Sequence, residues 1–237
     1  MPKTILKGGH IKQIDVCNLS RIPVPMLDNP CYQTAIQIIE SPDIDFKDTS
    51  LFNHYNVYSP KTLYDMYGCT EKLKNHGSKF PFLPWIHSSP ITEYKDYAFI
   101  KRGDKFTKSQ VKKIKTLVAS IKKHGYVPEK FRDRKYGFIT GYFLKHEDRV
   151  KFYIVSGNHR ASVCFALDSD REIPFIYESP KFLKGREKVK VEDDFSYLKV
   201  YDTANVHNWP SVRNEFLSPD EAISILKVFL GENHGQK

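Results

Sequence analysis

Cysteine is scarce in this chain. Four occur among 237 residues, at positions 17, 31, 69 and 164. No two form a CxxC pair, and their spacing suggests neither a zinc site nor a disulfide framework. Long apolar runs are also missing. None approaches the roughly 20 residues that a membrane-spanning helix needs, so a helical span is excluded. The opening stretch, MPKTILKGGHIKQID, has no apolar core of signal-peptide length. The expected location is therefore the cytoplasm. Internal repeats and low-complexity tracts are absent, which sets aside solenoid architectures. Acidic residues are outnumbered, 28 against 37 Lys and Arg, leaving a formal charge of +9. That balance favours anionic partners: nucleic acid, a nucleotide, a phosphorylated or acidic glycan, or an anionic membrane surface. The basic residues are spread along the chain and not gathered in a tail, which weighs against nucleic acid. What remains, 40% hydrophobic and 14% aromatic, belongs to a globular protein of one large or two modest domains.

The most informative stretch is RVKFYIVSGNHRASVCFAL, residues 149–167. Its apolar, β-branched run from Val150 to Val155 reads as a buried strand. Ser156-Gly157-Asn158 breaks it. A mostly apolar segment from Ala161 to Leu167 then reads as a helix, with His159 and Arg160 in its first turn. Backbone N–H groups in a first helical turn have no intrahelical partner, and the helix dipole is positive there. A guanidinium and an imidazole added at that end make a compact anion site suited to phosphate. An ordinary basic pair on the surface is the competing reading. Asn158 is open between a helix cap and a ligand contact. Cys164, in the apolar helix, reads as a small buried residue.

Around this stretch the pattern gives a core. Ile91 to Ile100 is a strand candidate. A helix follows from about Lys108 to His124, with Thr107 and Gln110 as a capping box and Gly125 as its stop. Val111, Ile114, Val118 and Ile121 form its apolar stripe. Lys112, Lys113, Lys115, Lys122 and Lys123 fall on the rest and read as a solvated face, more than as a binding patch. Phe138 to Leu144 and Val150 to Val155 read as a hairpin, and Glu172 to Tyr177 as a closing strand. Strand, helix, strand, strand, helix, strand is a small α+β unit with a mixed sheet, not a doubly wound one.

The flanks are less regular. Ile14 to Val16 suggests a short strand, and Arg21 to Pro25 is too Pro-rich for a central one. Cys31 to Glu40 suggests a helix. His10, after Gly8-Gly9, falls in a segment expected to be flexible. Ser59-Pro60 looks like a helix start and Gly68 its stop. Tyr55, Tyr58, Tyr64 and Tyr67 make an aromatic-rich core or a carbohydrate-stacking surface, with the core preferred. A strand is expected at Lys188–Val191. The last helix is the best marked: Ser218 as cap, Pro219 first, Glu221 completing the capping box, and Gly231 after the end. The expected division is an N-terminal region at 1–88, a core at 89–180 and a C-terminal extension at 181–237.

Ser120-Ile121 with Gly125, then Gly157, His159, Arg160 and Ala161, then Ile173-Pro174 carry a likeness. In this order of elements, they resemble the ParB/sulfiredoxin-like fold over roughly residues 89–180. The segment WPSVRNEFLSPDEA, 209–222, is similar to the tail of uncharacterised ParB-like proteins from surface-polysaccharide gene clusters. The resemblance implies a nucleotide (ATP, ADP or CTP) held with Mg²⁺, its phosphates on Ser156, Gly157, Asn158, His159 and Arg160. Sulfiredoxins carry a catalytic Cys where this chain has Asn158. Chromosome-partitioning members add a long helical DNA-binding region, which the residues after 180 do not supply. ParB-like kinases that phosphorylate a small hydroxyl fit best. In them a Glu after the first core strand is the base, and Glu93 is the nearest match, with Asp96 next and Asp104 and Asp133 as further candidates. The expectation is a kinase acting on a sugar or glycan hydroxyl, with Glu93, His159 and Arg160 as its catalytic set and the acceptor against the N-terminal region. The alternative is a nucleotide- or nucleic-acid-binding protein without transfer chemistry.

Overall fold

The computed structural model describes residues 4–11, 16–19, 23–58, 60–76, 82–90, 102–128, 137–176, 189–193 and 200–232. The chain is mixed α+β, with helices packed on a mixed sheet. Its strands are β1 (Thr4–Ile11), β2 (Val16–Leu19), β3 (Pro23–Pro25), β4 (Ile139–His146), β5 (Arg149–Ser156), β6 (Ile173–Ile176), β7 (Val189–Asp193) and β8 (Val200–Asp202). They lie in the order β3-β2-β5-β4-β6-β1-β7, with β8 also on β4. Pro23 and Pro25, which cannot donate to a ladder, sit in an edge strand, as the Pro-rich sequence requires. The hairpin β4–β5 is antiparallel and runs through the middle of the sheet.

Side-chain alternation along that hairpin builds two cores. Ile139, Phe152 and Ile154 face one way, into a cluster with α1 (Pro30–Glu40), α4 (Gly103–His124) and α5 (Asn158–Leu167). Tyr142, Leu144 and Tyr153 face the other, into a cluster with α3 (Leu63–Tyr67), Trp85, Trp209 and α7 (Pro219–Phe229). The period of two in a strand produces this split. Phe152, Phe165 and Phe175 are essentially fully buried in the first cluster. Each such burial stabilises by about 1.5–3 kcal/mol before conformational entropy is counted. The short α2 (Ser50–Phe52) runs into a π-helical turn at Asn53–Val57, and α6 (Pro210–Arg213) leads towards α7.

Several expectations need correction. His10 belongs to strand β1, paired with Pro174 of β6, and not to a flexible tail. The pairing is with strands more than 150 residues away, which local pattern does not reveal. Strands from before and after residue 88 pair within one sheet. Helix α4 begins at Gly103 and not at Lys108. Thr107 is no cap: its hydroxyl donates back to the Gly103 carbonyl at 3.3 Å and accepts from Asn56 Nδ2 at 2.9 Å. Helix α3 starts at Thr62, whose capping box with Asp65 takes the role expected of Ser59-Pro60. Ser59 lies outside the described residues, as do Ile91–Ile100. Tyr67 is buried, its hydroxyl donating to the Phe82 carbonyl at 2.7 Å, in keeping with the core reading of the tyrosines.

Candidate functional site

Strand β5 ends at Ser156 and the chain turns at Gly157, which has φ +97° and serves as N-cap of α5. Only glycine suits this corner. A Cβ here would stand 2.9 Å from Ile139 Cγ1 and 3.0 Å from Ile139 Cα, in a backbone conformation that side chains rarely adopt. Residue 157 brings no side chain to cap α5, and the first intrahelical bond runs from Ala161 N–H to the Gly157 carbonyl at 3.0 Å. The amides of Asn158, His159 and Arg160 are left as the open donors of a first helical turn.

This turn forms one wall of a cavity of about 610 Å³. The opposite wall is α4, through Ser109, Lys112, Lys113, Thr116 and Leu117. That volume suits a ligand of nucleotide size. Among the described residues lining it, none is a carboxylate, while Lys112, Lys113 and Arg160 bring positive charge. Lys112 and Lys113, read from the sequence as a solvated face, are exposed and also line the cavity. Helical spacing shows which side of α4 avoids its own core; it does not show that α5 starts beside that side.

His159 is the most perturbed group of the site. Its Nε2 is buried and has no hydrogen-bond partner among the described residues. Burial, with Lys113 and Arg160 nearby, pushes the imidazole down to about 4. At neutral pH it is therefore neutral. Burial lowers the Arg160 guanidinium as well, but arginine starts so high that it stays charged. Its recorded neighbours, the Tyr126 hydroxyl and the Cys164 thiol, are uncharged; burial pushes Cys164 up to about 12. Among the described residues, no acid pairs with Arg160. Among the described residues, the open helix N-terminus, the His159 Nε2 and the Arg160 guanidinium are groups that an anion with several acceptor oxygens could meet together.

No protein-family model, no curated protein and no solved structure matches this chain. The site therefore rests on its own geometry. Of the expected site residues, the structure brings Ser156, Gly157, Asn158, His159 and Arg160 together on the cavity. Asn158 is the first residue of α5 and not its cap, and its amide is engaged elsewhere. Its Oδ1 accepts from Asn29 Nδ2 at 3.3 Å and from Ser162 Oγ at 3.5 Å, and its Nδ2 donates to Cys31 Sγ at 3.4 Å. The ligand contact it can offer is its backbone N–H. Glu93, Asp96 and Asp133 lie outside the described residues. Asp104 is exposed, 3.8 Å from Lys47, and does not line the cavity. Among the described residues, no group of three His, Cys, Asp or Glu could hold a metal ion, and none of the helices is long and apolar enough to cross a membrane.

Proposed function

We propose that this protein is a ParB-like kinase. It binds ATP by its phosphates at the β5–α5 corner and transfers the terminal phosphoryl group to a hydroxyl of a sugar or glycan. One observation carries the phosphate reading: among the described residues, the buried Nε2 of His159 has no partner and Arg160 no acid, beside three open amides. A cationic corner at the positive end of a helix is electrostatically unfavourable alone and favourable once an anion fills it. The order α4, β4, β5, α5, β6 is that of the ParB/sulfiredoxin-like resemblance, with Ser120-Ile121 and Gly125 closing α4 and the GxHR turn opening α5. Phosphoryl transfer asks mainly for positioning and charge neutralisation. The 158–160 amides and Arg160 would hold the phosphate chain, and Lys112 and Lys113 would meet it from α4. Glu93 is the proposed base. It would take the acceptor proton as the new O–P bond forms and the bond to the leaving ADP breaks. The described lining offers no carboxylate for Mg²⁺, so no step is assigned to the ion.

Among the described residues the lining carries no carboxylate, which favours a second reading, nucleotide binding without transfer. Incubation with γ-labelled ATP, Mg²⁺ and a panel of glycans separates the two. Label in a glycan supports the kinase. ATP bound in a calorimeter, with no glycan labelled, supports the binding protein. Absence of ATP, ADP and CTP binding removes both. A nucleic-acid ligand would instead show affinity falling steeply with salt.

A further inference from the structure

We infer that Asn29, at the start of α1, is a positioning residue for the phosphate site. Helix α5 has no side-chain cap of its own, so something else must fix the direction of its first turn. The Asn158 amide does so, and its partners come from the start of α1. Asn29 is fully buried. Its Oδ1 accepts from the Cys31 N–H at 2.8 Å, capping α1, while its Nδ2 donates to Asn158 Oδ1 at 3.3 Å. Asn158 Nδ2 in turn donates to the buried Cys31 thiol at 3.4 Å, and Ser162, one turn along α5, closes the loop with its hydroxyl on Asn158 Oδ1 at 3.5 Å. Two helix starts 129 residues apart in sequence are thus tied by a pair of asparagines. Because Asn158 leads directly into His159 and Arg160, holding its side chain sets where the three open amides and the imidazole point. One side chain therefore has two duties. As an acceptor it caps α1, and as a donor it orients α5.

The inference rests on the phosphate-binding reading, and the two duties can be separated by substitution. Asn29→Ser keeps a capping oxygen for α1 but is too short to reach Asn158. Asn29→Asp keeps the cap, and Asn158 can turn its amide over to donate to it, but it sets a carboxylate behind the anion site. ATP affinity by titration calorimetry and melting temperature are measured for the full-length wild type and both variants. The expected result is a loss of affinity of about tenfold for Asn29→Ser, the scale seen for partners that orient a binding side chain. Asn29→Asp should lose more through repulsion and melt below the wild type, because burial desolvates its carboxylate. Wild-type affinity in both variants overturns the inference and leaves the phosphate reading standing. Affinity kept in Asn29→Ser but lost in Asn29→Asp makes the loss one of added charge alone, with no need of the contact to Asn158, and also overturns it. If the wild type itself binds no ATP, the phosphate reading falls, and the inference falls with it.

Discussion

Two helix starts in this molecule, those of α7 and α5, are built in opposite ways. At α7, Ser218 Oγ accepts from the Glu221 N–H at 3.3 Å, and the Glu221 carboxylate accepts from the Ser218 N–H at 2.8 Å. Pro219 occupies the first position, and Asp220 and Glu221 place negative charge at the positive end of the dipole. Donors are met and charge is complementary. At α5 the cap is a glycine in a left-handed conformation, the first turn holds no acid, and its side chains include an imidazole and a guanidinium. Donors are open, and the guanidinium charge repels the positive end of the dipole. The first arrangement serves stability. The second leaves stability unclaimed, and exceptions to the local rules are expected at functional or strained sites.

The comparison breaks most severely at Gly157. Gly157→Ala puts a methyl 2.9–3.0 Å from Ile139 at positive φ. Strain and overpacking together should cost about 3 kcal/mol, and the misdirected turn should no longer bind ATP. Thermal unfolding and ATP titration of this one variant check both losses. Normal melting with normal ATP affinity would show that the corner is not a shaped one.

Next in size is Arg160→Ala. With no described ion pair to lose, the variant should melt close to the wild type. Loss of a charge-assisted clamp on phosphate should lower ATP affinity about a hundredfold, or roughly 3 kcal/mol. Retained affinity would contradict the site assignment. A collapse in melting temperature would make Arg160 a structural residue and remove the contrast with α7.

The two helix starts also differ in how they could be read from sequence. Every part of the α7 start lies within four residues, so Ser218, Pro219 and Glu221 announce it, and the structure has the same capping box. The β4–β5 hairpin and the Ser156–Asn158 break were legible for the same reason. Half of the α5 site was not. Lys112, Lys113, Ser109 and Thr116 stand on α4, more than 40 residues before the turn they face. Asn29 and Cys31 stand on α1, in a segment whose pattern suggested little beyond a helix. Thr107 misled because its hydroxyl has a tertiary partner, Asn56, that local rules cannot anticipate. The sequence did carry one usable signal for the missed wall: Ser109, Lys112, Lys113 and Thr116 are polar residues one turn apart on one side of α4.

A smaller effect follows from His159. In the free protein its pKa lies near 4, below the usual histidine value of about 6.5. Between these values the unfolded chain binds more protons than the folded one. The free protein should therefore lose stability as pH falls from about 6.5 towards 4, with His87, also lowered by burial, adding to the loss. A bound phosphate reverses the sign, because it favours the charged imidazole and makes the complex the better proton binder. ATP affinity should then rise as pH falls towards about 4, with proton uptake visible as a dependence of binding heat on buffer. His159→Gln should remove both trends. ATP affinity that is flat with pH in the wild type would show that Nε2 does not meet the anion.

The mildest test lies at α7. Ser218→Ala removes the hydroxyl that accepts from Glu221 and should cost about 1 kcal/mol, the ordinary value of an N-cap, seen as a melting point lower by about 2–4 °C. ATP affinity should not change, because α7 packs on the sheet face opposite α5. With no shared partner, the stability losses of Ser218→Ala and Gly157→Ala should add in the double variant, while only the second touches binding. Non-additive losses would mean that the two helix starts are energetically linked through the hairpin. The molecule could not then be divided into a start that stabilises and a start that binds.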